Sequence, residues 1–211
     1  MSGKNRAGID KMNFPFEVRR KFIHIVLGIL FSILIYFDLF SLPFWGGILF
    51  LGIIFSFIFK KYQLPYISSF ILAFERKEEI DHFPLRGALT FLFGSILSYI
   101  IFPKFIAISA IITLFLGDSI ACLYGIYFGR IKAPWSPKKH LDSAIIGALC
   151  SAFLIALFFP LWKGFLAALT AIFFESIVDF GKLPNNLIRL IFDDNVFIPL
   201  ISGGVLFLLN L

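Results

Sequence analysis

Charge is scarce in this chain. Asp, Glu, Lys and Arg together make 15% of its 211 residues, against 59% hydrophobic residues. A water-soluble domain of this length cannot hide thirty Phe beside so much Ile and Leu. The mean hydropathy of +0.93 agrees, and the long apolar runs read as membrane spans. Cysteine is limited to Cys122 and Cys150, both in apolar segments, which argues against a disulfide. No Cys/His spacing of a zinc site is present. The phosphate loop G-x-x-x-x-G-K-[ST] and the nucleophile elbow G-x-S-x-G are both missing, which excludes an ordinary soluble-type kinase site and an elbow-type hydrolase. Repeats and low-complexity tracts are also lacking. The opening MSGKNRAGIDKMNF is basic but has no small-residue cleavage site after its apolar run, so it reads as a retained cytosolic tail.

What is present is a series of apolar segments. Seven candidate spans fall at about 22–37, 43–59, 87–102, 104–128, 143–159, 161–178 and 196–211. Several are near the short limit for a helix crossing roughly 30 Å of hydrocarbon. Basic residues set the orientation. The tail to Lys21 carries six, the 60–86 loop five, the 129–142 loop four and the 179–195 loop two, while the other side has only Lys104 and Lys163. This asymmetry places the N-terminus and the second, fourth and sixth loops in the cytosol. The net charge of +6 is thus topology charge and does not imply nucleic acid. The expected architecture is an all-α, polytopic membrane bundle of about seven helices, forming one integral membrane domain over residues 1–211.

The acidic residues gather on the same cytosolic side, where only function or pairing justifies polar groups at a span. Glu17, Arg20, Lys21 and His24 share one helical face by their i, i+3, i+4, i+7 spacing. That face is either topology charge with a core histidine or the lining of a cavity able to meet phosphates. The mixed-sign stretch from Glu75 to Gly87 reads as a solvated loop or as a lid. Gly117, Ala121, Gly125 and Gly129 form a small-residue stripe that admits another helix or a ligand close to the backbone. Asp118, next to Gly117, lies about 18 Å along a straight helix from Arg130, and needs a cation, a water-filled cavity or a broken helix. Lys138 and Lys139 follow at the membrane edge, as topology charge or as phosphate contacts. Glu175 and Asp179 repel one another at i, i+4 unless a cation lies between them. Asp193, Asp194 and Asn195 open the last span, where a helix N-cap would need only one of them. Carboxylates converging with lysines on one membrane face suit Mg²⁺ carrying a polyphosphate.

In these residues the chain resembles the polyprenol kinase family, which includes dolichol kinase, phytol and farnesol kinases and CTP-dependent diacylglycerol kinases. The family's E-x-x-R-K-x-x-H is similar to Glu17, Arg20, Lys21 and His24. Its G-D-x-x-A-x-x-x-G-x-x-x-G resembles Gly117, Asp118, Ala121, Gly125 and Gly129. Part of P-K-K-S-x-E-G is met by Pro137, Lys138 and Lys139, and D-D-N-x-x-x-P by Asp193, Asp194, Asn195 and Pro199. The chain departs from the third motif at His140, Asp142 and Ser143. The resemblance implies CTP-dependent phosphorylation of a lipid alcohol such as dolichol, phytol or geranylgeraniol at the cytosolic face of the membrane. Mg²⁺ would be held by members of the set Asp118, Glu175, Asp179, Asp193 and Asp194. Lys138 and Lys139, with Arg20 and Lys21, would neutralise the phosphates, and Glu17, His24, Gly117, Gly125, Gly129 and Asn195 would line the nucleotide site. Asp118 is the expected acceptor of the hydroxyl proton.

Two other readings stand beside this one. The G-D and P-K-K motifs are also similar to those of phosphatidate cytidylyltransferases, which make CDP-lipids, but the closing signature of those enzymes is missing. A cation-coupled transporter would also use intramembrane carboxylates. Against it, charge collects on one face and no inverted repeat is visible.

Overall fold

The computed structural model describes residues 14–39, 41–62, 71, 73–75, 80, 83–136, 139–178 and 193–211. Among the described residues the protein is all-helical, with seven principal helices. They are α1 (Phe14–Tyr36), α2 (Leu42–Tyr62), α3 (Arg86–Ile101), α4 (Lys104–Tyr127), α5 (Leu141–Ile155), α6 (Leu161–Ile177) and α7 (Asp194–Leu208). Two of them, α2 and α4, are long and apolar enough to cross a membrane. Helices α3, α5 and α7 are shorter and apolar.

The boundaries follow local chemistry. Pro103 and Pro160 stand just before α4 and α6, with φ of −53° and −51°. A proline ring fixes such a φ and lacks the N–H that an incoming helix could not satisfy there. Asp193 caps α7, its carboxylate accepting from the Asn195 amide at 3.1 Å. Leu85, before α3, takes a left-handed φ of 63°, which is unfavourable for a branched side chain. Its amide donates to Glu75 at 2.7 Å, which holds the turn.

Helix α4 runs through the middle of the bundle. Ile108, Ile111, Leu114 and Phe115 are all buried there. Helices α5 and α6 approach closely because the facing positions are small: Ala148, Ala152, Ala167, Ala168 and Ala171 have no exposed surface. A similar contact joins α3 to α7, where a Cβ on Gly94 would lie 2.2 Å from the Asn195 carbonyl oxygen. Thr113 of α4 and Ser202 of α7 share a buried hydrogen bond of 2.8 Å. Inside an apolar bundle such a bond contributes about 0.6 kcal/mol. Helix α2 is peripheral, tied in where Trp45 meets Phe31 with ring centroids 4.1 Å apart.

Helix α4 is not a regular α-helix. Thr113–Asp118 forms a π-helical turn ending on Asp118. The straight helix used to place Asp118 from sequence is therefore corrected: the extra residue in the turn re-aims the side chains beyond it.

Alternation of helix direction brings the starts of α1, α3, α5 and α7 to the same end as the close of α4 and α6. That end carries the charged residues. At the far end Lys104 pairs with Asp38, and Lys163 donates to the Leu209 carbonyl at 2.6 Å and to the Asn210 side chain at 2.8 Å. These pairs tie loop to helix and cap the C-terminus of α7.

Candidate functional site

Among the described residues, three cation–carboxylate pairs from six elements meet at the polar end. Lys21 of α1 donates to Asp118 of α4, with both side chains buried. Lys139, in the loop before α5, donates to Glu175 of α6. Arg86, first residue of α3, donates to Asp193 at 2.8 Å. A fourth pair is local to α1, where Arg20 grips one Glu17 oxygen through Nε at 3.0 Å and Nη2 at 2.7 Å. The pairs are close enough to act on each other. Asp194 faces Lys21, Lys139 and Arg20 electrostatically, and Asp118 acts on Glu175 and Lys139.

The loop that carries Lys139 is folded back on itself. Lys132 bridges His140, the Ala133 amide donates to the Lys139 carbonyl at 2.9 Å, and the Leu141 amide donates to the Ile131 carbonyl at 2.7 Å. Asp142 closes the hairpin by accepting from the Arg130 amide at 2.8 Å. Trp135 fixes the loop to α6, donating from Nε1 to the Ser176 hydroxyl at 3.1 Å. Burial works against the Lys139 charge, but the Glu175 and Asp118 carboxylates outweigh it and hold the ammonium above its ordinary range. At the start of α7 burial, and then the Asp194 carboxylate alongside, push the Asp193 carboxyl up to about 8 against the pull of Arg86.

Most of the residues singled out from sequence therefore come together: Glu17, Arg20, Lys21, His24, Asp118, Lys139, Glu175, Asp193, Asp194 and Asn195. Lys138 and Asp179 lie outside the described residues. Gly117, Gly125 and Gly129 serve packing. A Cβ on Gly117 would meet Ile172 and Ser151 at 3.1 Å, one on Gly125 Ser143 at 3.2 Å, and one on Gly129 the His140 ring at 2.5 Å. Their open faces are covered by α5, α6 and the preceding loop, so the stripe admits a helix where a nucleotide was the alternative. Asn195 reaches α3, donating to Thr90 at 3.0 Å.

Two contributors escaped the sequence reading. Arg86 and Glu75 belong to the stretch read as a solvated loop or lid, yet both point inward, and neighbouring Pro84 is fully buried. The signal was available in Pro84-Leu85-Arg86, where an arginine opens a helix that prefers acidic residues in its first turn.

Among the described residues no three His, Cys, Asp or Glu side chains close on one point as a metal ligand set. Mg²⁺ seldom needs such a cage, taking one or two carboxylates and leaving its other positions to phosphate and water. Asp118, Glu175, Asp193 and Asp194, each near a basic side chain, fit that use.

No protein-family model matches the chain, and no solved structure matches it. One curated protein does: the chain is 31% identical over 196 residues, 90% of its own length and 92% of the relative's, to the "Uncharacterized protein MJ1137" of Methanocaldococcus jannaschii. The chain belongs to the same protein family as that archaeal protein.

Proposed function

We propose that this protein is an integral membrane kinase that transfers the γ-phosphoryl group of CTP to the hydroxyl of a lipid alcohol of the polyprenol type. The observation that carries the reading is the meeting of Lys21, Lys139 and Arg20 with Asp118, Glu175, Asp193 and Asp194 at one end of an otherwise apolar bundle. Phosphoryl transfer asks little covalent chemistry of a protein. It asks for cations on the phosphates, a held divalent metal and an aligned hydroxyl. In this reading the seven helices span the bilayer with the N-terminus and the site on the cytosolic side, as seventeen basic residues against two support.

Lys21, Lys139 and Arg20 bind the phosphates, exchanging their carboxylate partners for phosphate oxygens. Lys138 is proposed beside them from the motif alone. Asp118, Glu175, Asp193 and Asp194 are the residues that would hold Mg²⁺, with Asp179 added by sequence. Mg²⁺ supplies neutralisation of charge on the β- and γ-phosphate oxygens. Asp118, already paired with the Lys21 ammonium, is assigned here to cation binding in place of the proton acceptance expected from sequence. The lipid chain lies among apolar helices and its hydroxyl comes up to the polar end.

The test is a nucleotide-resolved assay on the purified, detergent-solubilised protein with γ-labelled CTP or ATP, Mg²⁺ and a panel of geranylgeraniol, phytol, dolichol and diacylglycerol. Label arriving on an alcohol from CTP supports the kinase and names its substrate. Pyrophosphate and a CDP-lipid, formed when lipid phosphate is offered, would assign the chain to cytidylyl transfer instead. No turnover with any pairing would sink both.

A further inference from the structure

We propose that the acceptor hydroxyl docks in the gap between His24 of α1 and Gly87 of α3, and that His24 Nε2 takes its proton. This rests on the kinase reading above. His24 is only 6% exposed, and its Nδ1 is enclosed without a hydrogen-bond partner. Buried polar atoms are normally satisfied, so an imidazole whose enclosed Nδ1 has no partner leaves Nε2 as the nitrogen open to a ligand. The ring is held edge-on by Phe91, with centroids 5.4 Å apart. Nε2 looks toward the bare face of Gly87. Among the described residues, a methyl group built there would find Nε2 at 3.9 Å and no other atom within 4 Å. That is open room of the size of a small group, beside a nitrogen able to accept a proton.

Lys21 and Arg20 on its own helix, Asp118 from α4 and Asp194 from α7 are the charged groups that act on His24. The carboxylates Glu17, Asp118, Glu175 and Asp193 each accept from a basic side chain. His24 has no such tie. Gly87 also follows Arg86, whose partner Asp193 belongs to the proposed cation-holding set.

In the step itself the O–H bond of the alcohol breaks and its proton passes to Nε2. The oxygen pair forms the new bond to the γ-phosphorus, and the bond from that phosphorus to the bridging oxygen breaks. That oxygen leaves with CDP, and His24 returns the proton to water after release. General base help of this kind is worth about 10²- to 10⁴-fold in rate.

The test uses His24→Gln and Gly87→Ala in the full chain, with thermal unfolding in detergent to confirm folding. His24→Gln keeps a hydrogen-bonding group but cannot take a proton. It should lower kcat by about 10²-fold or more, leave the KM for CTP unchanged and abolish the acidic limb of the pH–rate profile. Gly87→Ala should raise the KM for the alcohol by about tenfold or more with the KM for CTP unchanged, because its methyl fills the gap without clashing with any described residue. A folded His24→Gln with half the wild-type turnover would overturn the proposal, as would a Gly87→Ala indistinguishable from wild type. If the wild-type protein phosphorylates no alcohol, the kinase reading falls by itself. Equilibrium binding of radiolabelled geranylgeraniol then decides: loss of affinity in Gly87→Ala keeps the hydroxyl site, and equal affinity removes it.

Discussion

Lys21 and Asp118, 97 residues apart in sequence, meet as a buried ion pair between α1 and α4. Neither charge is tolerable alone among apolar helices, so each is the condition for the other. Removing one partner leaves an uncompensated buried charge at a cost of about 3–5 kcal/mol, whereas replacing both by apolar residues is often near neutral. Lys21→Met and Asp118→Leu should therefore each lower the unfolding temperature strongly, and the double variant should recover most of the loss. Activity should not follow stability. The double variant should stay at least about 10²-fold below wild type in kcat/KM for CTP, because on the proposed kinase reading the groups that would meet phosphate and cation are gone. A double variant that is both stable and active would remove the pair from the site.

Lys139 gives a prediction about pH. Its ammonium is held above its ordinary range by Glu175 and Asp118, despite burial that works the other way. A lysine raised in this way contributes fully below its unfolded value near 10.4 and loses the contribution only as pH rises through the folded value. The KM for CTP should accordingly show no lysine titration between pH 6 and 9. Lys139→Met should raise it by about tenfold or more across that whole range, in line with loss of one charge-assisted phosphate contact. A wild-type KM that climbs steeply between pH 8 and 9 would contradict this.

How far the site was legible depends on the kind of signal. The carboxylates and Lys21 were readable because an ionisable residue in an apolar segment is costly and so carries information. Their mutual pairing was not, since nothing in the sequence says that Lys21 rather than Arg20 turns toward α4. Arg86 was hidden by its neighbours: inside a mixed-sign stretch one arginine looks like solvated charge. The π-turn at Thr113–Asp118 left no mark on a run of apolar residues. The glycine stripe was seen but served either of two purposes. Only the atoms around each missing Cβ decide between them.

Those atoms also rank the glycines. Gly94→Ala would drive a methyl to 2.2 Å from the Asn195 carbonyl oxygen, and Gly147→Ala to 2.4 Å from that of Gly117. Both obstacles are backbone, so helices must separate, at a cost of about 1–3 kcal/mol. Gly94→Ala should also reduce turnover, because it displaces the start of α7 with Asp193. Gly47→Ala is the contrast: no atom of the described residues lies within 4 Å of its new methyl, and the loss of helix-interior glycine should leave stability unchanged or raised by up to about 1 kcal/mol. Unfolding temperatures of the three variants side by side test the order.

The arrangement of the carboxylates predicts which ligand stabilises the protein. With no three of them closing on one point among the described residues, and with Asp118, Glu175 and Asp193 each held by a cation, Mg²⁺ alone has to compete with Lys21, Lys139 and Arg86. CTP alone would likewise have to pull Lys21 and Lys139 from their carboxylates and leave negative charge uncovered. Supplied together, on the proposed kinase reading, the phosphates would take the basic side chains and the metal the carboxylates, so each ligand would remove the obstacle to the other. That is positive coupling between two sites. The unfolding temperature in detergent should thus rise little with either ligand singly and clearly with both, reaching about 2.7 kcal/mol of stabilisation at a hundredfold excess over the joint Kd. A chelator added to the ternary mixture should return it to the CTP-only value. In Glu175→Gln the coupling should shrink, since Lys139 is then free for phosphate without any exchange. Stabilisation by Mg²⁺ alone equal to that by both ligands would show a metal site independent of nucleotide, and would turn the assignment toward cation binding for its own sake.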